Sequence, residues 1–567
     1  MARTPKSATA QQRLNEQQGT EPPASKPAIA EAPTDTTVDV RMYKGLLGDC
    51  FLLRIAAGQE KPKHVLIDCG ILMGIKDADK TMEKVAENIR ETTDGFVDVL
   101  VLTHEHWDHL SGFRLAQEVF DRIAFSALWL AWTEDPNDKQ AQDLRANMAG
   151  QRLAVAALAR VVKRIEDDPF AAAPDGAAKG LEAFIGELAD VPLATAQAQA
   201  ETQGLAAAKA TASKVAVTRQ IIDRLVEQVE ANGDGRVRYL EPGNVLERAD
   251  GAPLRTYVLG PPRNTKRLTK DRPSAGAAKE TYLATAKVNE RALLRMAGIP
   301  VDQGSSADDG SVEQPDLTDS SPFARSHRQL TQTRVDNELA GRPSSGDALP
   351  EATRAFLKAY YDTASIDRRI DSEWLRCGGA LALKLDSDTN NTSLVLAFEL
   401  PNCDVLLFAA DAQVGNWLSW HDQDYFPADG KKVTASDLLS RTVLYKVGHH
   451  GSHNATLRKE GLEKMTHQDL VAMLPTVETD ALRQGAKGWK MPNPELYPKL
   501  LQRTQGRLLR GDADKGKDPK GVPLTNDPRF LDRAADCALY VEYRVSGRGG
   551  PPQPPAMTPE AQLEATH

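Results

Sequence analysis

Val97-Asp98-Val99-Leu100-Val101-Leu102 runs directly into Thr103-His104-Glu105-His106-Trp107-Asp108-His109. The first half is mostly β-branched and aliphatic, the pattern of a strand buried on both faces. It stops at Thr103, and three histidines and an aspartate follow within six positions. A loop leaving a strand in extended form points residues two apart to the same side, so His104 and His106 can share one metal. Asp108 and His109 lie where the loop turns into a helix and can serve a second metal. So many polar groups behind a buried strand are costly without a cation to neutralise them. Imidazole and carboxylate ligands suit zinc best, with manganese or iron as alternatives.

Upstream, Val38 to Met42 alternates as a half-buried strand should, and Gly45 and Gly48-Asp49 mark a turn. Cys50 to Ile55 and His64 to Asp68 read as strands, the latter stopped by Cys69-Gly70. Thr81 to Arg90 has helical spacing, with Met82, Val85, Ala86 and Ile89 on one face. Downstream, Ala127 to Trp132 is strand-like. Strand character returns at Val237–Leu240, Thr256–Leu259, Ala380–Leu385, Ser393–Leu400, Val405–Ala409 and Thr442–Val447, with a helix over Glu351–Tyr361. Two insertions interrupt this series: 134–232, Ala-rich and helical, and 263–349, whose Ser/Asp/Gly/Pro-rich centre is expected to be disordered. The expected organisation is a disordered tail over 1–37, one domain over 38–545 carrying both insertions, and a disordered tail over 546–567.

The chain has 567 residues, 41% hydrophobic and 26% charged, with net charge −9. That is a globular composition, and the negative balance argues against a general nucleic-acid coat protein without excluding a local basic groove. Cys50, Cys69, Cys403 and Cys537 lie in or beside apolar runs and read as buried free thiols; with Cys377 they form an odd, scattered set that fits a reducing cytosol. The N-terminus lacks the apolar stretch of a secretory signal, and no apolar run is long enough to span a bilayer. A cytoplasmic location without membrane contact is the expectation.

Two metals need ligands from elsewhere. Asp411 follows the apolar run ending at Phe408-Ala409-Ala410 and is placed to bridge both ions. His449 and His450 follow a further strand in Lys446-Val447-Gly448-His449-His450-Gly451-Ser452. With these in hand, the sequence resembles the metallo-β-lactamase superfamily, and most closely the soluble hydrolase domain of the ComEC competence-protein family. The motifs that carry the resemblance run in order: Gly48-Asp49-Cys50-Phe51-Leu52, Leu66-Ile67-Asp68-Cys69-Gly70, Thr103 to Gly112, Asn390 to Leu396, Asp411, and Lys446 to Ser452. They cover roughly residues 38–132, 237–262 and 378–510, and say nothing of the insertions or tails.

The resemblance implies a four-layer αββα sandwich. It implies that His104 and His106 bind a first metal, that Asp108 and His109 bind a second, that Asp411 bridges, and that His449 completes the second site, with His450 the lesser candidate. Asp68 is implied to orient the metal loop. Two departures stand out. Where relatives carry a metal-binding histidine after a middle strand, this chain has Gly260-Pro261-Pro262, and a later His-Pro is Met491-Pro492. The first metal then has His104, His106 and Asp411 plus water or an unidentified ligand. His327 is a weak candidate beside the disordered segment.

Two cations sharing an oxygen bring the pKa of that water to about 7 and take up charge in the transition state. Asp108, Asp411 and His449 are expected to carry the chemistry. The expected activity is that of a phosphodiesterase or nuclease on DNA, RNA or a smaller phosphodiester, with Lys446, Ser452, His453 and Asn454 near a phosphate. The basic run Arg263, Lys266, Arg267, Lys270 and Arg272 could follow a nucleic-acid backbone, although such runs are more often solvated loops. Two other readings stay open: hydrolysis of a small ester, lactone or thioester, and a metal-stabilised binding protein that recruits a protein partner through its insertions.

Overall fold

The computed structural model describes residues 35–166, 217–270, 351–360, 384–484 and 488–547. The fold is mixed α/β. The first sheet contains β1 (Thr37–Tyr43), β2 (Cys50–Ala56), β3 (Lys63–Cys69), β4 (Phe96–Val101), β5 (Ala124–Ala131), β6 (Arg236–Leu240) and the late strands β16 (Ala534–Asp536) and β17 (Tyr540–Ser546). Their spatial order is β16-β17-β1-β2-β3-β4-β5-β6. The second sheet contains β7 (Val245–Glu247), β8 (Arg255–Gly260), β9 (Val395–Glu399), β10 (Val405–Phe408), β13 (Thr442–Lys446), β14 (Val471–Leu474) and β15 (Leu508–Arg510), ordered β15-β14-β13-β10-β9-β8-β7. A short hairpin, β11 (Asp424–Tyr425) with β12 (Val433–Thr434), stands apart.

Pairing from β3 through β6 is parallel. Parallel neighbours require crossovers, and helices make them. Helix α1 (Ala78–Thr92) leads from β3 to β4, and α2 (Trp107–Leu115) follows β4. Helices α3 (Lys139–Glu166) and α4 (Val217–Ala231) lie between β5 and β6. Helix α1 buries Met82, Val85, Ala86 and Ile89, the face read from the sequence.

The inner faces of the two sheets meet in one core, in which Val38, Val40, Val99, Val101 and Phe51 from the first sheet join Phe398, Leu406 and Phe408 from the second. Phe51 and Phe408 touch edge to face at 5.6 Å between ring centres. The outer face of the first sheet packs Val97 and Leu100 against α1, α2 and α4. The outer face of the second packs Tyr257, Leu407 and Tyr445 against Trp417, Trp420 and Leu439. Thus β4 is buried on both sides, and its one charge, Asp98, accepts from Lys63 Nζ and the His64 amide.

Some expectations change. Strand β1 is not half-exposed: Asp39 and Arg41 on its second face are buried and paired, Arg41 with Glu542 and with Asn88 and Thr92 of α1. Residues 384–390 are helical, where the end of a strand over 380–385 was expected; the rest of that strand lies outside the described residues. The helix is favoured locally by the Lys384–Asp388 pair one turn apart and by Thr389 Oγ1 bonding back to Leu385 O. Cys50 and Cys69 are buried free thiols, but Cys403 and Cys537 are exposed, because they sit in turns beyond their strands. Cys377, the tails over 1–34 and 548–567, and most of both insertions lie outside the described residues. No helix among the described residues is long and apolar enough to cross a membrane.

Candidate metal centre

The centre lies where β3, β4, β10 and β13 end. Asp68 closes β3 and stands beside the end of β4 through the parallel pairing. Its carboxylate accepts from the Thr103 amide at 2.8 Å and from Thr103 Oγ1 at 2.6 Å. These bonds pin the start of the histidine loop. His106 is extended (φ −115°, ψ 153°) as the cap of α2. That geometry brings His104 Nε2 within 3.2 Å of His106 Nδ1, about the separation of two nitrogens bound to one tetrahedral zinc at about 2.0 Å.

The loop sits unusually close to the neighbouring backbone. A Cβ on Gly70 would lie 2.1 Å from Asp108 O, and one on Gly48 would lie 2.6 Å from the same atom. Gly48 and Gly70 are therefore needed for close approach.

Asp108 and His109 open α2 and face Asp411 and His450. Single ligand atoms of these four residues all lie within 4.8 Å of one another. His109 Nε2 is 3.2 Å from Asp411 Oδ2 and 4.0 Å from Asp108 Oδ2, and His450 Nε2 is 3.0 Å from Asp108 Oδ2. The far nitrogens are held from behind: His109 Nδ1 lies 2.7 Å from Asp68 Oδ2, and His450 Nδ1 lies 2.7 Å from Pro475 O. Acceptors there fix a proton on Nδ1 and leave Nε2 for the centre.

Five buried atoms here have no hydrogen-bond partner: His106 Nε2, Asp108 Oδ1, His109 Nε2, Asp411 Oδ2 and His449 Nδ1. Buried polar atoms are normally satisfied. Those of Asp108, His109 and Asp411 converge with His450, which fits a divalent cation, and the donor set of imidazoles and carboxylates is one that zinc accepts.

The charges respond to one another. Burial, then His109 and His106, holds His104 well below the usual histidine range. His106 is lowered to about 4, chiefly by burial. Against burial, Asp411, Asp108, Asp49 and Asp68 hold His109 well above it. Against burial, His109 and Lys446 keep Asp411 well below the usual carboxylate range.

Three expected placements change. His450, not His449, joins Asp108, His109 and Asp411, because both residues have positive φ (44° and 52°) and the turn carries the second ring inward. His449 instead gives its amide to Asp411 Oδ1 at 3.1 Å. Lys446 is closed off from solvent. Its ammonium is buried between Asp49 and Asp411 and donates to Ala410 O at 2.9 Å. Ser452 Oγ donates to Asn454 Oδ1 at 3.0 Å, while His453 is exposed.

His104 and His106 form a pair to which no third ligand is closely added among the described residues. A histidine at Gly260 is ruled out by packing, since a Cβ there would lie 2.0 Å from Asn416 Oδ1. His327 lies outside the described residues. Asp386, which the sequence reading missed, brings Oδ1 to 3.9 Å from His106 Nε2. Burial, then Asp108 and Asp411, pushes its carboxyl up to about 8. It stands in no histidine motif, so only the helix at 384–390 could reveal it.

Two residues of the basic run after Pro262 are neutralised within the fold, while Lys266 is exposed. Arg263 pairs with Asp138 and Glu241 and stacks on Trp132, and Arg267 pairs with Asp422. Arg272 lies outside the described residues. Comparison of the chain with protein-family models, with curated proteins and with solved structures finds no match.

Proposed function

We propose that this protein is a metal-dependent hydrolase of the metallo-β-lactamase superfamily, with its two sheets and outer helices forming the αββα sandwich. The observation that carries the proposal is the meeting of buried histidine and aspartate ligand atoms from three strand ends at one point, several of them without a hydrogen-bond partner. A structural zinc is normally a single closed site. Here the pair His104 and His106 stands beside the set Asp108, His109, Asp411 and His450, which supports a two-metal centre, with zinc as the preferred ion.

Bound divalent cations would supply an acidified water and charge stabilisation for hydrolysis. The chain's own residues then act as follows. Asp68 and Pro475 O orient the two inner histidines. Lys446 balances Asp49 and Asp411. His449, whose ring Nδ1 has no partner, is left to face a substrate. Phosphodiesters are the first substrate class.

The small-ester reading is favoured by a separate observation: Lys446 is buried in ion pairs, and Arg263 and Arg267 are paired within the fold, which leaves less positive charge for a polyanion. Elemental analysis together with DNA, RNA, cyclic-nucleotide and chromogenic-ester substrates in zinc and in manganese, wild type against Asp108→Ala, tests both readings. Metal-dependent phosphodiester cleavage lost in the variant is expected. Cleavage of esters alone selects the second reading, and failure to bind metal removes both.

A further inference from the structure

Glu105 lies between two candidate ligands, yet its side chain serves neither. In an extended loop the middle residue points opposite to its neighbours, and the Glu105 carboxylate turns toward the inserted helices. Glu105 Oε1 accepts from Arg152 Nη1 of α3 at 2.6 Å and from Thr218 Oγ1 of α4 at 2.8 Å. Glu105, Arg152 and Thr218 are all more than nine-tenths buried. Upstream the loop is pinned by Thr103 on Asp68, and downstream by the start of α2. Glu105 is the tether between those points.

We propose that Glu105 is a positioning residue, through which the inserted helices hold the His104–His106 loop in its ligand geometry, so that metal affinity depends on the insertion. This rests on the metal-binding reading of the loop. The physical reason lies in the cost of the contact. Desolvating a carboxylate and a guanidinium makes a buried ion pair a poor source of net stability, whereas its geometry specifies one arrangement of the groups it joins. Here the groups joined are the loop that carries two imidazoles and two helices inserted between β5 and β6. Nothing in the coordination chemistry asks for a carboxylate at position 105. The inserted helices do.

Helix α4 has a second tie that avoids the loop: Gln228 Nε2 donates to Phe120 O at 3.3 Å and to Ile123 O at 3.0 Å. It provides the control. Zinc affinity of the full chain is measured by competition with a chelating dye, alongside metal content and the unfolding midpoint of the metal-stripped protein. Glu105→Gln and Arg152→Met are expected to weaken zinc binding about 10-fold or more, with the double variant no worse than either single, because they remove one shared contact. Gln228→Ala is expected to lower the unfolding midpoint and leave zinc affinity unchanged. Thr218→Val, which removes one donor to Glu105, keeps the test open should Glu105→Gln fail to fold.

Wild-type affinity in the Glu105 and Arg152 variants overturns the proposal. Equal weakening in Gln228→Ala also overturns it, since the effect would then be general loosening of the helices. Absence of zinc binding in the wild type overturns the metal reading itself, an outcome distinct from the other two.

Discussion

His450 Nε2 lies 3.0 Å from Asp108 Oδ2, although 342 positions separate the two residues. Pro475 O occupies the other nitrogen of His450, so the ring has one orientation and one free function. His449 contributes its backbone amide to Asp411 and keeps its ring outside the four-residue group. His450→Ala should therefore lose metal from the second site, lowering the metal-to-protein ratio. His449→Ala should keep the metal and lower turnover. Elemental analysis of the two variants side by side checks this, and metal loss in His449→Ala alone would reverse the assignment.

Asp68 anchors the loop by three contacts, to the Thr103 amide, Thr103 Oγ1 and His109 Nδ1. It does so in the left-handed region, at φ 53°, which asparagine tolerates better than most residues. Asp68→Asn should thus keep the backbone while losing the charge that orients His109. Metal affinity is expected to fall about 10- to 100-fold, with a far-ultraviolet circular dichroism spectrum like that of the wild type. Unchanged affinity would show that the carboxylate does not orient a ligand.

Gly260 packs against Asn416, whose amide donates to Asn391 O and Ser393 O at 3.0 Å each. Asn416 cannot yield without breaking those bonds. Gly260→Ala should destabilise the protein by about 1–3 kcal/mol through overpacking, read as a lowered denaturant midpoint. Gly260→His, which would supply the ligand that the proposed family implies, should be worse and should gain no metal.

Carboxylate neighbours hold both His109 and His450 above the usual histidine value, against the effect of burial. The raised values favour a proton on the nitrogen that a cation would take. Zinc binding near pH 7 should release protons, and affinity should fall as the pH is lowered. In the metal-stripped protein the sign is opposite. The same two groups add stability that is fully present below the ordinary value of 6.5 and is lost as pH rises through their raised folded values. Titration calorimetry in buffers of different ionisation heat measures the protons released, and heats independent of the buffer would contradict the assignment.

The strands around the centre were legible in the sequence because their signal is local. Val97 to Leu102 is apolar at every position but Asp98, and its identity as a doubly buried strand needs no knowledge of what covers it. His104, His106, Asp108 and His109 were equally legible, since their spacing along one loop already limits where they can point. The choice between His449 and His450 was not, because adjacent residues are separated only by a turn with positive φ. The inward turn of Lys446 depends on Asp49 and Asp411, the exclusion of a side chain at Gly260 on Asn416, the approach of Asp386 on a short helix, and the tie of Glu105 on two inserted helices. Period and composition report what each segment does by itself. Which side chain meets which across hundreds of residues is decided by packing, where the nearest atom belongs to a different part of the chain.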